Sequence, residues 1–159
     1  MRLRNCAVVC ASLALASCRT YYVEPMGQET AALTFQNRSA LNIGFQAFKV
    51  AEDCSGGKLS FAKDNLRSRE EFSVKLQGGQ PFSFFMAFSD VSMAGLKYCI
   101  LPGTFTPKPG ARYVARFAAS ETQCSMGLLA VTSAGETKEP SFRPRSWVKA
   151  TFESGSFCR

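Results

Sequence analysis

Two hydrophobic rhythms divide this chain. Residues 6–16 form a short, nearly unbroken apolar run, Cys-Ala-Val-Val-Cys-Ala-Ser-Leu-Ala-Leu-Ala. From residue 30 onward, apolar and polar positions instead alternate in short stretches broken by turn residues, the period-two pattern of half-buried strands. Ala31, Leu33 and Phe35 mark a first strand, and Asn37-Arg38-Ser39 reads as a turn. Leu41, Ile43, Phe45 and Ala47 share one face of the next strand, with Phe48 and Val50 on the other. Residues 52–57 are expected to loop around Cys54, and residues 58–61 to form a short edge strand. Phe72, Val74 and Leu76 alternate before a Gly-Gly turn over 77–81.

Residues 81–88 are the most apolar strand. Phe82, Phe84, Met86 and Phe88 take one face and Phe85 and Ala87 the other. Apolar residues on both faces predict a central strand covered on both sides, and core packing is preferred here to an aromatic ligand groove. A loop over 90–96 and a strand over 97–101 carrying Cys99 follow. Pro107, Pro109 and Gly110 then lead into Tyr113. This stretch resembles the tyrosine corner of Greek-key sandwiches, in which a phenol caps a crossing between sheets. Tyr113, Ala115 and Phe117 should face inward, with a turn over 121–123 leading to a partner strand over 124–131. Residues 135–145 read as a polar loop and 147–152 as a last strand. Residues 62–71 have room for a turn or two of helix, but no long segment has helical periodicity. Eight or nine strands at this spacing predict an all-β fold, a β-sandwich of immunoglobulin-like or transthyretin-like form.

The N-terminal run is a different object. It follows a start carrying Arg2 and Arg4, and it is too short to span a bilayer, which takes roughly 20 apolar residues. It ends in Leu15-Ala16-Ser17-Cys18. This sequence resembles the lipobox of bacterial lipoproteins. The resemblance implies cleavage behind Ser17, acylation of Cys18 with attached acyl chains such as palmitate, and a membrane anchor. Arg19, in place of the Asp that typically retains such proteins at the inner membrane, implies an outer-membrane address facing the periplasm. Ala14-Leu15-Ala16 also fits ordinary secretory cleavage, which would release a soluble protein.

Cysteine count separates the two routes. Cys18, Cys54, Cys99, Cys124 and Cys158 follow the signal. An exported protein with five cysteines keeps one unpaired thiol, whereas acylation of Cys18 leaves four that close two bridges. Cys54, Cys99, Cys124 and Cys158 lack Cys-x-x-Cys spacing and are expected to be disulfide staples. Three pairings are open. Cys54 with Cys99 and Cys124 with Cys158 is the expected one, because it joins cysteines near loops without crossing in sequence. The organisation is thus a signal over residues 1–17, a lipidated cysteine and tether over 18–29, and a domain over 30–159. The tether contains Pro25 and Gly27, and Tyr21 and Tyr22 are expected to pack on the domain rather than rest among lipid headgroups. The domain is similar to small periplasmic β-sandwich lipoproteins, a loose group that transfers no site.

Composition narrows the chemistry. At 46% hydrophobic and 19% charged residues the chain is globular. Histidine is absent, which removes Ser-His-Asp and Cys-His nucleophilic systems and imidazole metal ligands. No metal or other cofactor is expected, and Met86 and Met93 are read as apolar rather than soft-metal ligands. The net charge of +7 falls to +5 without Arg2 and Arg4, a mild bias toward anionic surfaces. Lys138, Arg143, Arg145 and Lys149 form the densest basic stretch, a possible contact for an envelope protein or an anionic glycan or lipid. Nucleic acid is not expected outside the cytoplasm. Glu52-Asp53 and Glu70-Glu71 are adjacent acid pairs, but neighbours on a strand point to opposite faces. The expected role is a non-catalytic, membrane-anchored accessory or binding module of the cell envelope. The alternative is a carboxylate-based hydrolase of envelope glycan, which needs two acids facing one cleft roughly 5 to 10 Å apart.

Overall fold

The computed structural model describes residues 20–159, apart from 93–94 and 121–122. Among these there is no helix, and the eleven strands form two sheets packed as a sandwich. The strands are β1 Thr30–Asn37, β2 Ile43–Val50, β3 Ser55–Leu59, β4 Asn65–Leu66, β5 Glu71–Gln77 and β6 Phe82–Ser92. They continue as β7 Gly95–Phe105, β8 Arg112–Ala119, β9 Cys124–Thr132, β10 Gly135–Lys138 and β11 Arg143–Pro144. The first sheet runs β10-β9-β8-β1-β5, and the second runs β11-β7-β6-β2-β3 with β4 also on β2. All pairings are antiparallel except that of β1 with β8.

The alternation read from sequence builds the core. Leu33, Phe35, Phe45, Ala47, Phe84, Met86, Ala115 and Phe117 are fully buried between the sheets. Strand β6 is central in its sheet, as its two apolar faces predict. Phe35 lies 4.6 Å from Phe45 and 5.4 Å from Phe84, centroid to centroid, so aromatic pairs bridge the layers. The turn after β1 is held from inside by Asn37, whose Nδ2 donates to the carbonyls of Leu41 and Leu66 and whose Oδ1 accepts from the Ser39 amide. The corner predicted at Tyr113 is present: the Lys108 amide donates to its phenol oxygen at 2.9 Å. Burial raises the Tyr113 phenol above its ordinary pKa, against the opposing effect of that amide.

The two sheets differ on their outer faces. On the first, polar side chains form a chain from strand to strand: Gln36 donates to Glu71, Arg116 donates to Gln36, and Arg116 pairs with Glu136. On the second, the outward residues Phe48 and Phe85 are buried, because the C-terminal tail lies over them. Trp147 meets Phe85 at 5.5 Å and Phe157 at 5.4 Å, and Phe157 stacks on Phe48. A second, smaller apolar cluster results.

Four local expectations change. The segment expected to loop over 90–96 is strand on both sides of 93–94, with Asp90 paired to Lys97 and Ser92 to Gly95, because the backbone ladder of β6 and β7 continues through it. The polar loop over 135–145 contains β10 and β11, short strands that cap the sheet edges. The last strand expected over 147–152 is absent; the tail is held there by one bridge, Trp147 to Cys158, and by burial on the second sheet. Residues 62–71 hold the short strand β4 and no helix.

The disulfide pairing also differs from the expected one. Cys54 joins Cys158 across a sequence separation of 104, with Cα atoms 5.5 Å apart. Cys99 joins Cys124 across 25, with Cα atoms 6.6 Å apart. The reason is spatial. The tail brings Cys158 back across the second sheet to the β2–β3 turn, while Cys99 on β7 faces Cys124 at the start of β9. One bridge pins the tail and the other ties the two sheets together. Cys54 takes a left-handed φ of 57° in its turn.

Candidate functional site

Cys18, the predicted lipidation site, lies outside the described residues. The structure does describe the segment that follows it, and this segment is built into the sandwich. The Tyr22 amide donates to the Ser60 carbonyl at 2.8 Å, and the Ser60 amide donates to the Thr20 carbonyl at 3.0 Å. Tyr21 thereby pairs with Ser60 in a parallel bridge just beyond edge strand β3. Side chains alternate along this short extension. Tyr22 turns inward, with its ring 5.2 Å from Phe61 and 5.8 Å from Phe82. Its hydroxyl donates to the Lys75 carbonyl on β5 at 2.9 Å. One residue therefore spans from the edge of the second sheet to the edge of the first, closing the open side of the sandwich.

Burial, and to a lesser degree the Glu24 carboxylate, pushes the Tyr22 phenol up to about 12. Tyr21 turns outward and is 55% exposed. The expected packing of both tyrosines is thus divided: Tyr22 packs and Tyr21 does not. Beyond it, Val23 and Met26 are 83% and 99% exposed. Of the expected tether over 18–29, residues 20–22 are docked on the sandwich.

The basic stretch is not one patch. Lys138 on β10 and Arg143 on β11 are exposed on the two edge strands of the same side, opposite the Tyr22 side. Arg145 has structural work, donating to the Thr104 hydroxyl at 3.4 Å and the Glu52 carbonyl at 3.0 Å. Lys149 lies on the tail, lining an open groove of about 460 Å³ with Arg159, Phe152 and Cys158.

The acids are likewise dispersed. Glu52 lines a shallow cleft of about 400 Å³ with Tyr22, Val50 and Phe82, and no second carboxylate lines that cleft. Asp53 accepts from the Ser55 amide and the Ser156 hydroxyl, and hydrogen bonds from those two serines hold it below its ordinary pKa. Glu70 is held low by Lys63, 2.8 Å away, and by the Arg67 amide. Glu71 accepts from Gln36 on the outer face of the first sheet. A depressed pKa suits an ion-paired surface acid and is opposite to the raised value a general acid needs.

Among the described residues, no group of three His, Cys, Asp or Glu side chains is placed to hold a metal ion. No buried side-chain nitrogen or oxygen among them lacks a hydrogen-bond partner. The docked segment and its aromatic socket are what sequence reasoning only partly found. The sequence led to an expectation that Tyr21 and Tyr22 pack on the domain, but it carried no signal for the edge that the segment joins. No family model matches the chain, and neither a curated protein nor a solved structure matches it.

Proposed function

We propose that the chain is a lipid-anchored protein of a bacterial cell envelope, acylated on Cys18, whose sandwich is a non-catalytic accessory or binding module. The observation that carries this reading is the cysteine pairing. Cys54 with Cys158 and Cys99 with Cys124 account for all four domain cysteines. Of the three cysteines outside the bridges, Cys6 and Cys10 fall in the signal-like residues 1–17, and Cys18, at the end of the lipobox-like Leu15-Ala16-Ser17-Cys18, is the one that cleavage behind Ser17 would leave. Two bridges also suit an oxidising compartment. Several acyl chains on one cysteine make anchoring stable where a single chain is marginal. Arg19 favours the outer membrane, facing the periplasm. The module reading is supported by the dispersed acids, each engaged in local hydrogen bonds or alone in its cleft. Replacing Cys18 with Ser tests the anchor: the protein should move from the membrane fraction to the soluble fraction. Retention of the Cys18→Ser protein on carbonate-washed membranes would refute the reading. Crosslinking in intact cells then identifies the partner.

A further inference from the structure

The docked segment bears on how the domain sits at the membrane. Cys18 is two residues before Thr20, so their Cα atoms are at most about 7 Å apart. Thr20 is itself bonded to Ser60 beside β3. An acylated Cys18 therefore has almost no free tether, and the side of the sandwich next to Ser60 is held at the lipid surface. Tyr21, Val23 and Met26 belong to the same segment and are 55%, 83% and 99% exposed. Isolated exposed apolar residues need no explanation. Three of them within six positions, directly behind a lipid attachment site, match a surface that meets an interface. Tyrosine in particular favours the headgroup level, with its ring in the apolar zone and its hydroxyl wet.

We infer that the side closed by residues 20–22 is the face laid on the bilayer, with Tyr21, Val23 and Met26 in the headgroup layer. The inference rests on the acylation of Cys18 proposed above. The contact rests on these apolar side chains, because Glu24 and Glu29 in the same segment are matched by Lys58 on β3 and Lys75 on β5, the two edge strands of that side. The geometry also places two residues of the densest basic stretch. Lys138 and Arg143 lie on β10 and β11, each four strands from the opposite edge of its sheet. At about 4.8 Å per strand that is about 19 Å, roughly twice the Debye length at physiological salt. Those cations face the aqueous compartment and are screened from the membrane that carries the protein.

The test uses the full chain, purified from membranes in its processed form. Mass spectrometry of the N-terminal peptide first establishes whether Cys18 is acylated. The protein is then reconstituted into vesicles of phosphatidylethanolamine and phosphatidylglycerol containing brominated lipid. Trp147 is the only tryptophan, so its signal can be subtracted from that of Tyr21→Trp, Met26→Trp and Ser133→Trp variants. All three positions are exposed, and Ser133 lies in the turn between β9 and β10 on the far edge. The tryptophan added at 21 or 26 should lose most of its emission to the brominated lipid, and the one added at 133 should lose none. Acylated, vesicle-bound protein with 21 and 26 unquenched, or with 133 quenched equally, would overturn the orientation and leave the anchor standing. Absence of acylation would overturn both.

Discussion

Tyr22 is where the N-terminal segment becomes part of the fold, and its contribution can be worked out from its contacts. Tyr22→Phe removes only the hydroxyl that donates to Lys75 at 2.9 Å. That bond is near solvent, so water replaces it and the loss should be about 1 kcal/mol or less. Tyr22→Ala also removes the ring from between Phe61 and Phe82. Each aromatic contact contributes about 0.5 kcal/mol or more beyond area. A fully buried Phe-sized ring costs about 3 to 5 kcal/mol to truncate, so a half-buried one lies below that range. The total for Tyr22→Ala is about 3 kcal/mol, a lowering of the melting temperature by about 10 °C for a domain of this size. The assay is urea unfolding of the mature chain carrying Cys18→Ser, followed by far-UV circular dichroism and by Trp147 emission. The expected order is parent, Tyr22→Phe, Tyr22→Ala, with unchanged m-values. A Tyr22→Ala protein within about 0.5 kcal/mol of the parent would show that residues 20–22 are a loose tether. The membrane-facing inference would then lose its rigid link.

Other outcomes follow from the same contacts. The Tyr22 phenol titrates at about 12 in the fold against 10.0 ordinarily. Its stabilising contribution is therefore full below pH 10 and lost as pH rises toward 12, and Tyr22→Phe should flatten that alkaline decline. Glu70 is held low, so its contribution is present at neutral pH and lost on acidification; Glu70→Gln should flatten the acid limb of a stability–pH curve. Replacing Cys99 and Cys124 with Ala opens a 25-residue loop, which in the chain-entropy model lowers global stability by about 3.5 kcal/mol. Replacing Cys54 and Cys158 instead frees the tail, so Trp147 emission should change at lower urea than circular dichroism does; coincident transitions would contradict a separately opening tail. A Cβ on Gly78 would lie 2.8 Å from the Glu29 carbonyl oxygen and 2.9 Å from the Pro109 Cα, so Gly78→Ala should cost about 1 to 3 kcal/mol. Gly127→Ala meets nothing within 4 Å and should be close to neutral in the same thermal melt.

Much of this molecule is legible in order along the chain. Alternation of apolar residues in the segments that became β1, β2, β5, β6 and β8 predicts strands and assigns their inward faces, because a pleated strand has a fixed period of two. Apolar residues on both faces of β6 predict a covered central strand. The Pro/Gly turn before Tyr113 predicts the phenol cap, since that bond spans only five residues. These are local relations, and local sequence carries them. The remainder depends on distance in space between residues far apart in the chain. β10 and β11 carry polar residues and became strands only because sheet edges lay beside them to accept their hydrogen bonds. The segment 147–152 has the composition of a strand, yet the outer face of the second sheet offered burial and no free edge, so it became a covering tail. That tail carried Cys158 to Cys54, a pairing that no spacing of cysteines encodes. The lipobox-like motif around Cys18 and the four domain cysteines are legible in the sequence alone. That Thr20 is tied to Ser60, and so which side the proposed anchor would face, was decided by an inter-sheet gap bounded by Phe61, Phe82 and β5. Tyr22 fills that gap because burying its ring there removes apolar surface from water while its hydroxyl still finds a carbonyl.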